Sequence, residues 1–285
     1  MTFLNTIDDI KNQTGIALAE ALNDLGPEFS EQDLAMQWLS ALQKEGIFYE
    51  EGWYAPPPRG IISLFGKPDN QFERICQPSF RPEYMWPGKD NVYQSEDMIA
   101  VYASPVHRAT NLIGDFGLTL YNGTNPELLE HCEIVLQSSR HIARHAKIGM
   151  PFNELYAFGM DYGASQGFTN DIDSPSDDTG TNIGHTIPLS YKDDPTHSSI
   201  SSAQSFEDIR EALRVGRKFV NSKEKQKVED NMAFTIESRF STATMPQTWY
   251  HLTVIFNKGE KKICHGFHPV FEKLGLKNLN DLLRI

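Results

Sequence analysis

The chain has 285 residues, of which 39% are hydrophobic, and a formal net charge of −12. That is enough apolar residue for a sizeable core, yet no apolar run approaches the roughly 20 residues that span a bilayer. The negative excess repels phosphate backbones and anionic lipid, so nucleic acid and membrane surfaces are not expected partners. The opening MTFLNTIDDIKNQ has no basic start followed by an apolar stretch, which points to the cytoplasm. Cys76, Cys132 and Cys264 are odd in number and widely spaced, the pattern of reduced core thiols rather than of a disulfide framework or zinc ribbon.

Between Ile7 and Leu25, Ile7, Ile10, Ile16, Leu18, Ala21, Leu22 and Leu25 recur near helical spacing until Gly26-Pro27 stops the run. Ser30-Glu31-Gln32-Asp33 has the form of a capping box and predicts a second helix over Glu31 to Lys44. Phe48 to Gln94 is loop-rich and contains no histidine. Its aromatics Trp53, Tyr54, Tyr84 and Trp86 either line a pocket or simply pack, the commoner role for so much ring area. Residues 98 to 127 read as strand, turn, strand and a helix start at Asn125-Pro126-Glu127, with Asp115 set between glycines as a turn residue often is.

A helix is expected from Pro126 to about Lys147 and another after Pro151, running to Gly163 or beyond. His141 and His145 have the spacing of paired metal ligands, but Ile142 stands where a zincin glutamate belongs, and Arg140 and Arg144 make this a solvated cationic face. Residues 170 to 182 are acidic without calcium-loop spacing and read as a mobile loop. A Ser-rich linker over 196 to 205 precedes a charged amphipathic helix, Phe206 to Val228, either a lid or a solvated surface helix. FTIES and HLTVIF then read as strands that carry Glu237 and His251 as neighbours. Asn257 to Glu260 makes a hairpin turn, His265 and His268 lie in a Gly/Pro-rich loop as surface residues, and the tail from Phe271 is helical.

Met232-Ala233-Phe234-Thr235-Ile236-Glu237, followed by His251 opening Leu-Thr-Val-Ile-Phe, resembles the pita-bread metallopeptidases, the methionine aminopeptidase, prolidase and creatinase group. Gly114-Asp115-Phe116-Gly117-Leu118-Thr119 is similar to the family's second aspartate segment, and Gly184-His185 with Pro195 closing behind it to the family's histidine segment. The resemblance implies an α/β pita-bread fold, a curved antiparallel sheet flanked by helices. It runs over nearly the whole of 1–285 as one catalytic domain: helices and loops over 1–97, the metal-site core over 98–285, and the 206–228 helix as an insertion. The extra N-terminal domain of prolidase-like members is not expected.

In that family two aspartates, a histidine and two glutamates hold two metals. Here Asp115, His185 and Glu237 match ligand positions, while Tyr102 stands at the first aspartate and His251 at the bridging glutamate. An imidazole cannot bridge two cations as a carboxylate does, because its second nitrogen points away from the first. The resemblance therefore implies one divalent ion (Fe, Mn or Zn) held by Asp115, His185, Glu237 and His251. Lys192 replaces a second family histidine, and with no histidine before Ser104 both peptidase proton shuttles are missing. The sequence points first to a lyase or hydrolase of a small polar metabolite, with Tyr102 or Lys192 moving a proton; Tyr102 is otherwise a ligand or a plug in the vacated metal position. An iron- and oxygen-dependent oxidative enzyme and a metal-free protein that binds a peptide or protein are the alternatives, and a homodimer stays open as an assembly.

Overall fold

Residues 3–53, 58–67, 86–170, 177–194, 199, 202 and 205–284 are described by the computed structural model. Helix α1 spans Phe3–Ala21 and buries Leu4, Ile7, Leu18 and Ala21 along one stripe, as three- and four-residue spacing requires. Ile16 is exposed, and a short 3-10 turn over Leu22–Asp24 takes the place of the last expected helical residues. Helix α2, Glu31–Gln43, opens on the capping box: the Asp33 amide donates to Ser30 Oγ at 3.1 Å and the Ser30 amide to the Asp33 carboxylate at 2.9 Å. The fully buried Trp38 ties α2 to α1 by donating its indole N–H to the Thr14 carbonyl at 3.2 Å.

Strands β1 (Ile61–Gly66), β2 (Met98–Ala103) and β3 (Phe116–Tyr121) form an antiparallel sheet in chain order. Every residue of β2 and β3 is buried, so both faces are covered, and these strands read as continuous apolar runs rather than alternations. Helices α3 (Pro126–His145) and α4 (Phe152–Ser165) follow; the α3 start is capped by Asn125, whose side-chain oxygen accepts from the Glu127 amide at 3.0 Å. Strand β4 (Thr169–Asn170) pairs with β7 (Phe240–Ser241). A four-stranded antiparallel sheet contains β5 (Thr186–Ile187), β6 (Met232–Ile236), β8 (Leu252–Asn257) and β9 (Glu260–Cys264), in that order. The β8–β9 hairpin turns through Lys258 and Gly259, both in the left-handed region, as a tight two-residue turn demands. Helices α5 (Phe206–Gly216), α6 (His268–Lys273) and α7 (Lys277–Arg284) complete the described elements.

The two larger sheets meet at one seam. The His251 amide donates to the Gly117 carbonyl at 2.8 Å and the Thr119 amide to the Trp249 carbonyl at 2.9 Å, so the run entering β8 adds itself to β3. The result is a mixed α/β architecture of antiparallel sheets flanked by helices, as expected.

The region 206–228 is not one helix. α5 ends at Gly216, and residues beyond it run extended: Phe219 bridges His185, the Val220 amide donates to the Gly184 carbonyl at 2.8 Å, and the Phe152 amide to Gln226 at 2.9 Å. Gly216 is a poor helix former, and Phe219, Val220 and Val228 gain burial against the sheet that a surface helix would forgo. Cys132 and Cys264 are buried free thiols. Cys76, Tyr54, Tyr84, residues 171–176 and most of the Ser-rich stretch lie outside the described residues. No described helix is long and apolar enough to cross a membrane.

Gly15 of α1 faces the Gly266 carbonyl so closely that an added Cβ would overlap its oxygen. Gly15→Ala is expected to destabilise the protein by about 1–3 kcal/mol, the usual cost of forcing an extra carbon into a packed contact. Urea denaturation checks this, and an unchanged midpoint would contradict the packing described.

Candidate metal centre

The strands of the seam deliver four side chains to one place, each from a strand end. Asp115 immediately precedes β3, His251 immediately precedes β8 and Glu237 immediately follows β6. His185, just before β5, comes from the far side of β6: its amide donates to Thr235 Oγ1 at 3.0 Å, and the Thr235 amide returns a bond to the His185 carbonyl at 2.8 Å. Two glycines make the approach possible. Gly184 has φ +155° with its α-carbon against the Thr235 carbonyl, a place where a side chain would collide. Gly117 lies under the His251 ring, where an added Cβ would stand 3.0 Å from its carbons.

His251 Nδ1 lies 2.6 Å from Asp115 Oδ1 and 3.2 Å from Glu237 Oε2. His185 Nε2 lies 3.8 Å from Asp115 Oδ2 and 3.7 Å from Glu237 Oε1. One donor atom each from Asp115, Glu237 and His251 falls within 4.8 Å of the others. Asp115, His185 and His251 are buried, while Glu237 is half-buried and marks the side open to solvent. His185 stands outside that three-residue group, against its two carboxylates; imidazole and carboxylate donors of this kind suit a divalent first-row ion.

Tyr102, on β2 opposite Gly117, donates its hydroxyl to Asp115 Oδ2 at 3.4 Å and sets its ring edgewise to His251, centroids 5.6 Å apart. It therefore occupies the flank of Asp115 away from the His251 contact. Lys192 stands exposed on a turn, and no hydrogen bond or ion pair joins it to the cluster among the described residues. His141 and His145 are exposed, stacked on Tyr162 and Phe158 at 4.2 and 3.5 Å, far from any such cluster in role. His265 and His268 are half-buried rather than on the open surface.

Burial alone would raise the Asp115 pKa, but the His251, His185 and Lys11 positive charges and the His251 hydrogen bond hold it below the usual carboxylate range. Burial lowers the His185 pKa, reinforced by the neighbouring Arg217 guanidinium and opposed by Glu237 and Asp115. A neutral His185 keeps a lone pair free to coordinate.

Two groups beside the cluster were not singled out by sequence as site residues. Lys11 is fully buried beneath it: its ammonium donates to the Asp115 carbonyl, to the His251 carbonyl at 3.0 Å and to Thr253 Oγ1 at 2.9 Å. Burial pushes its pKa down to about 8, against the pull of the Asp115 charge. The available signal was its position, since Lys11 falls on the apolar stripe of α1 between Ile7 and Leu18. The second is Arg217, whose buried guanidinium lies 4.1 Å over the Trp53 indole; that indole stands 5.9 Å from the His185 ring and donates its N–H to Asp194. Trp53 was a candidate pocket aromatic, but reading 206–228 as a helix concealed Arg217.

His185 and His265, the latter pushed down to about 4 chiefly by burial, have folded-state pKa values below the unfolded histidine value of about 6.5. The unfolded chain then binds more protons, so the stability they contribute is present above about 6.5 and is lost as pH falls towards 4. Urea midpoints of chelator-treated protein across this window are expected to fall with acid, and His265→Gln is expected to flatten the slope.

The fold and site can be set beside known proteins. Residues 6–265 match the model of metallopeptidase family M24. Among solved structures, the X-Pro aminopeptidase from Thermotoga maritima aligns at TM-score 0.58 and 15% identity, covering 90% of this chain and 60% of that one. The prolidase from Pyrococcus furiosus aligns at 0.60 and 15%, covering 92% and 64%. Methionine aminopeptidase from Thermotoga maritima aligns at 0.59 and 14%, covering 91% and 96%. This chain thus spans less than two thirds of the X-Pro aminopeptidase and of the prolidase, and at these identities the likeness is one of fold. A sequence comparison with curated proteins finds no match. With the family's motifs on the strand ends that build the site, and a family match that runs through all of them, the chain belongs to metallopeptidase family M24.

Proposed function

We propose that this chain is a metal-dependent enzyme that uses one divalent ion, iron, manganese or zinc, on a small polar metabolite, in a lyase- or hydrolase-type reaction other than peptide cleavage. Family membership supports metal-dependent, hydrolase-type chemistry in general. The observation that carries the finer reading is the place of His251: its Nδ1 faces both Asp115 and Glu237, where a bridging carboxylate would present two oxygens. The Tyr102 hydroxyl, 3.4 Å from the other oxygen of Asp115, puts a phenol rather than a carboxylate on that flank, which supports a single ion.

Asp115, His185, Glu237 and His251 would hold the ion, which when bound would supply Lewis-acid polarisation of a substrate oxygen. Tyr102, within reach of the centre, gives or takes a proton during bond cleavage. Lys192, on its exposed turn, serves this role only if substrate brings it inward, so Tyr102 is the first assignment. Arg217, fixed on the Trp53 face beside His185, supplies positive charge that favours a substrate bearing an anionic group.

Metal analysis of protein purified without chelator tests the reading. About one equivalent is expected, with His251→Ala losing it while remaining folded; two tightly bound equivalents, or none after reconstitution with iron, manganese and zinc, would overturn it. The double variant Tyr102→Asp with His251→Glu is expected to raise stoichiometry towards two, because it supplies a terminal carboxylate and a bridge. It should not cleave dipeptides efficiently, since each missing general acid or base is worth roughly 10²–10⁴-fold in rate. Efficient cleavage by either protein would show that these substitutions have been misread.

A further inference from the structure

An ammonium has three donors and no acceptor, and all three donors of Lys11 have partners inside the protein. Two of the acceptors are the backbone carbonyls of Asp115 and His251, residues whose side chains meet at the centre. Core packing does not account for a lysine here. An apolar side chain of similar length would continue the α1 stripe and avoid the cost of taking a charge out of water, an exchange that is often neutral or stabilising. Nor does simple charge complementarity to the ion, because an ammonium beneath a cation site repels the cation.

The remaining account is geometric. Asp115 and His251 lie on different strands, joined near the centre through the Gly117–His251 backbone bond. The backbone pairing of the two runs, Thr119 with Trp249 and Gly117 with His251, stops two residues short of Asp115, and Lys11 adds a tie at that end by gripping the Asp115 and His251 carbonyls from α1. We propose that Lys11 is a positioning residue for the metal centre: it fixes the separation of the Asp115 and His251 backbones so that their side chains meet in coordinating register. The inference rests on the single-ion reading of the site.

The sign of one measurement separates this role from electrostatics. Lys11→Met removes a positive charge near the ion, which by charge alone would tighten binding, whereas loss of positioning weakens it. Titration calorimetry with Zn(II) or Mn(II) is expected to show binding roughly 10- to 100-fold weaker than in the unmodified protein, the usual effect of losing a group that orients ligands from behind. Thr253→Val, which removes one of the three acceptors and touches no ligand, should give a smaller loss in the same direction, and it decides the matter if Lys11→Met does not fold.

Nitrogen NMR of the His251 ring in the metal-free proteins provides a readout that needs no ion. The Nδ1 signal reports the Asp115 contact and should shift in Lys11→Met, or in Thr253→Val in its place, at unchanged pH. If the unmodified protein takes up no ion, the single-ion reading fails, and the NMR comparison alone decides on Lys11. An unchanged His251 signal, or metal binding as tight as or tighter than in the unmodified protein, overturns the proposal.

Discussion

The buried carboxylate of Asp115 is the constraint around which the rest of the site is arranged. An ionised carboxylate removed from water is tolerated only when charges and donors surround it. Here the surroundings are drawn from four elements: His251 from the run before β8, His185 from beside β5, Tyr102 from β2 and the Lys11 ammonium on its own carbonyl from α1. Because β3 is a buried strand with no freedom to turn outward, satisfying Asp115 forces these elements together. The seam between the sheets and the glycines under His251 and beside His185 are the backbone conditions for that convergence.

Much of this was legible in the residues. The capping box at Ser30, the Asn125 cap and the apolar runs of β2, β3, β6 and β8 each state a local preference that the tertiary structure keeps. Asp115, His185, Glu237 and His251 were found by motif rather than by periodicity; the structure groups Asp115, Glu237 and His251 closely and sets His185 against the two carboxylates. Glu237 shows why the motif was needed: by itself a glutamate at a strand end is an ordinary solvated residue, and the Met232–Glu237 run with His251 following it singled it out.

What escaped the sequence has a common physical cause. Lys11 and Arg217 are cations in segments read as helix, and a local pattern cannot say what a long side chain meets across the fold. For Arg217 the pattern itself misled, because charged residues at helical spacing continue past Gly216 while the chain has already turned into an extended pairing with the His185 segment. For Lys11 the helix was read as such, but its stripe was counted by its apolar members. A polar residue inside an apolar stripe is one of the few single-sequence signs of a buried functional contact.

The three bonds of Lys11 also bear on how the protein reaches this state. The ammonium on α1 meets acceptors 104 and 240 residues further along the chain, and the second of these precedes a strand near the end of the sheet order. Contacts of such separation carry a large loop-closure cost before they return any stabilisation, so they slow folding and form late. The centre is therefore complete only when α1, β3 and β8 have all closed on one another, and no fragment that lacks α1 or β8 contains it. An ion that binds the finished site and not the open chain would pull the entire folding equilibrium with it, and the supply of that ion would then set how long each molecule survives.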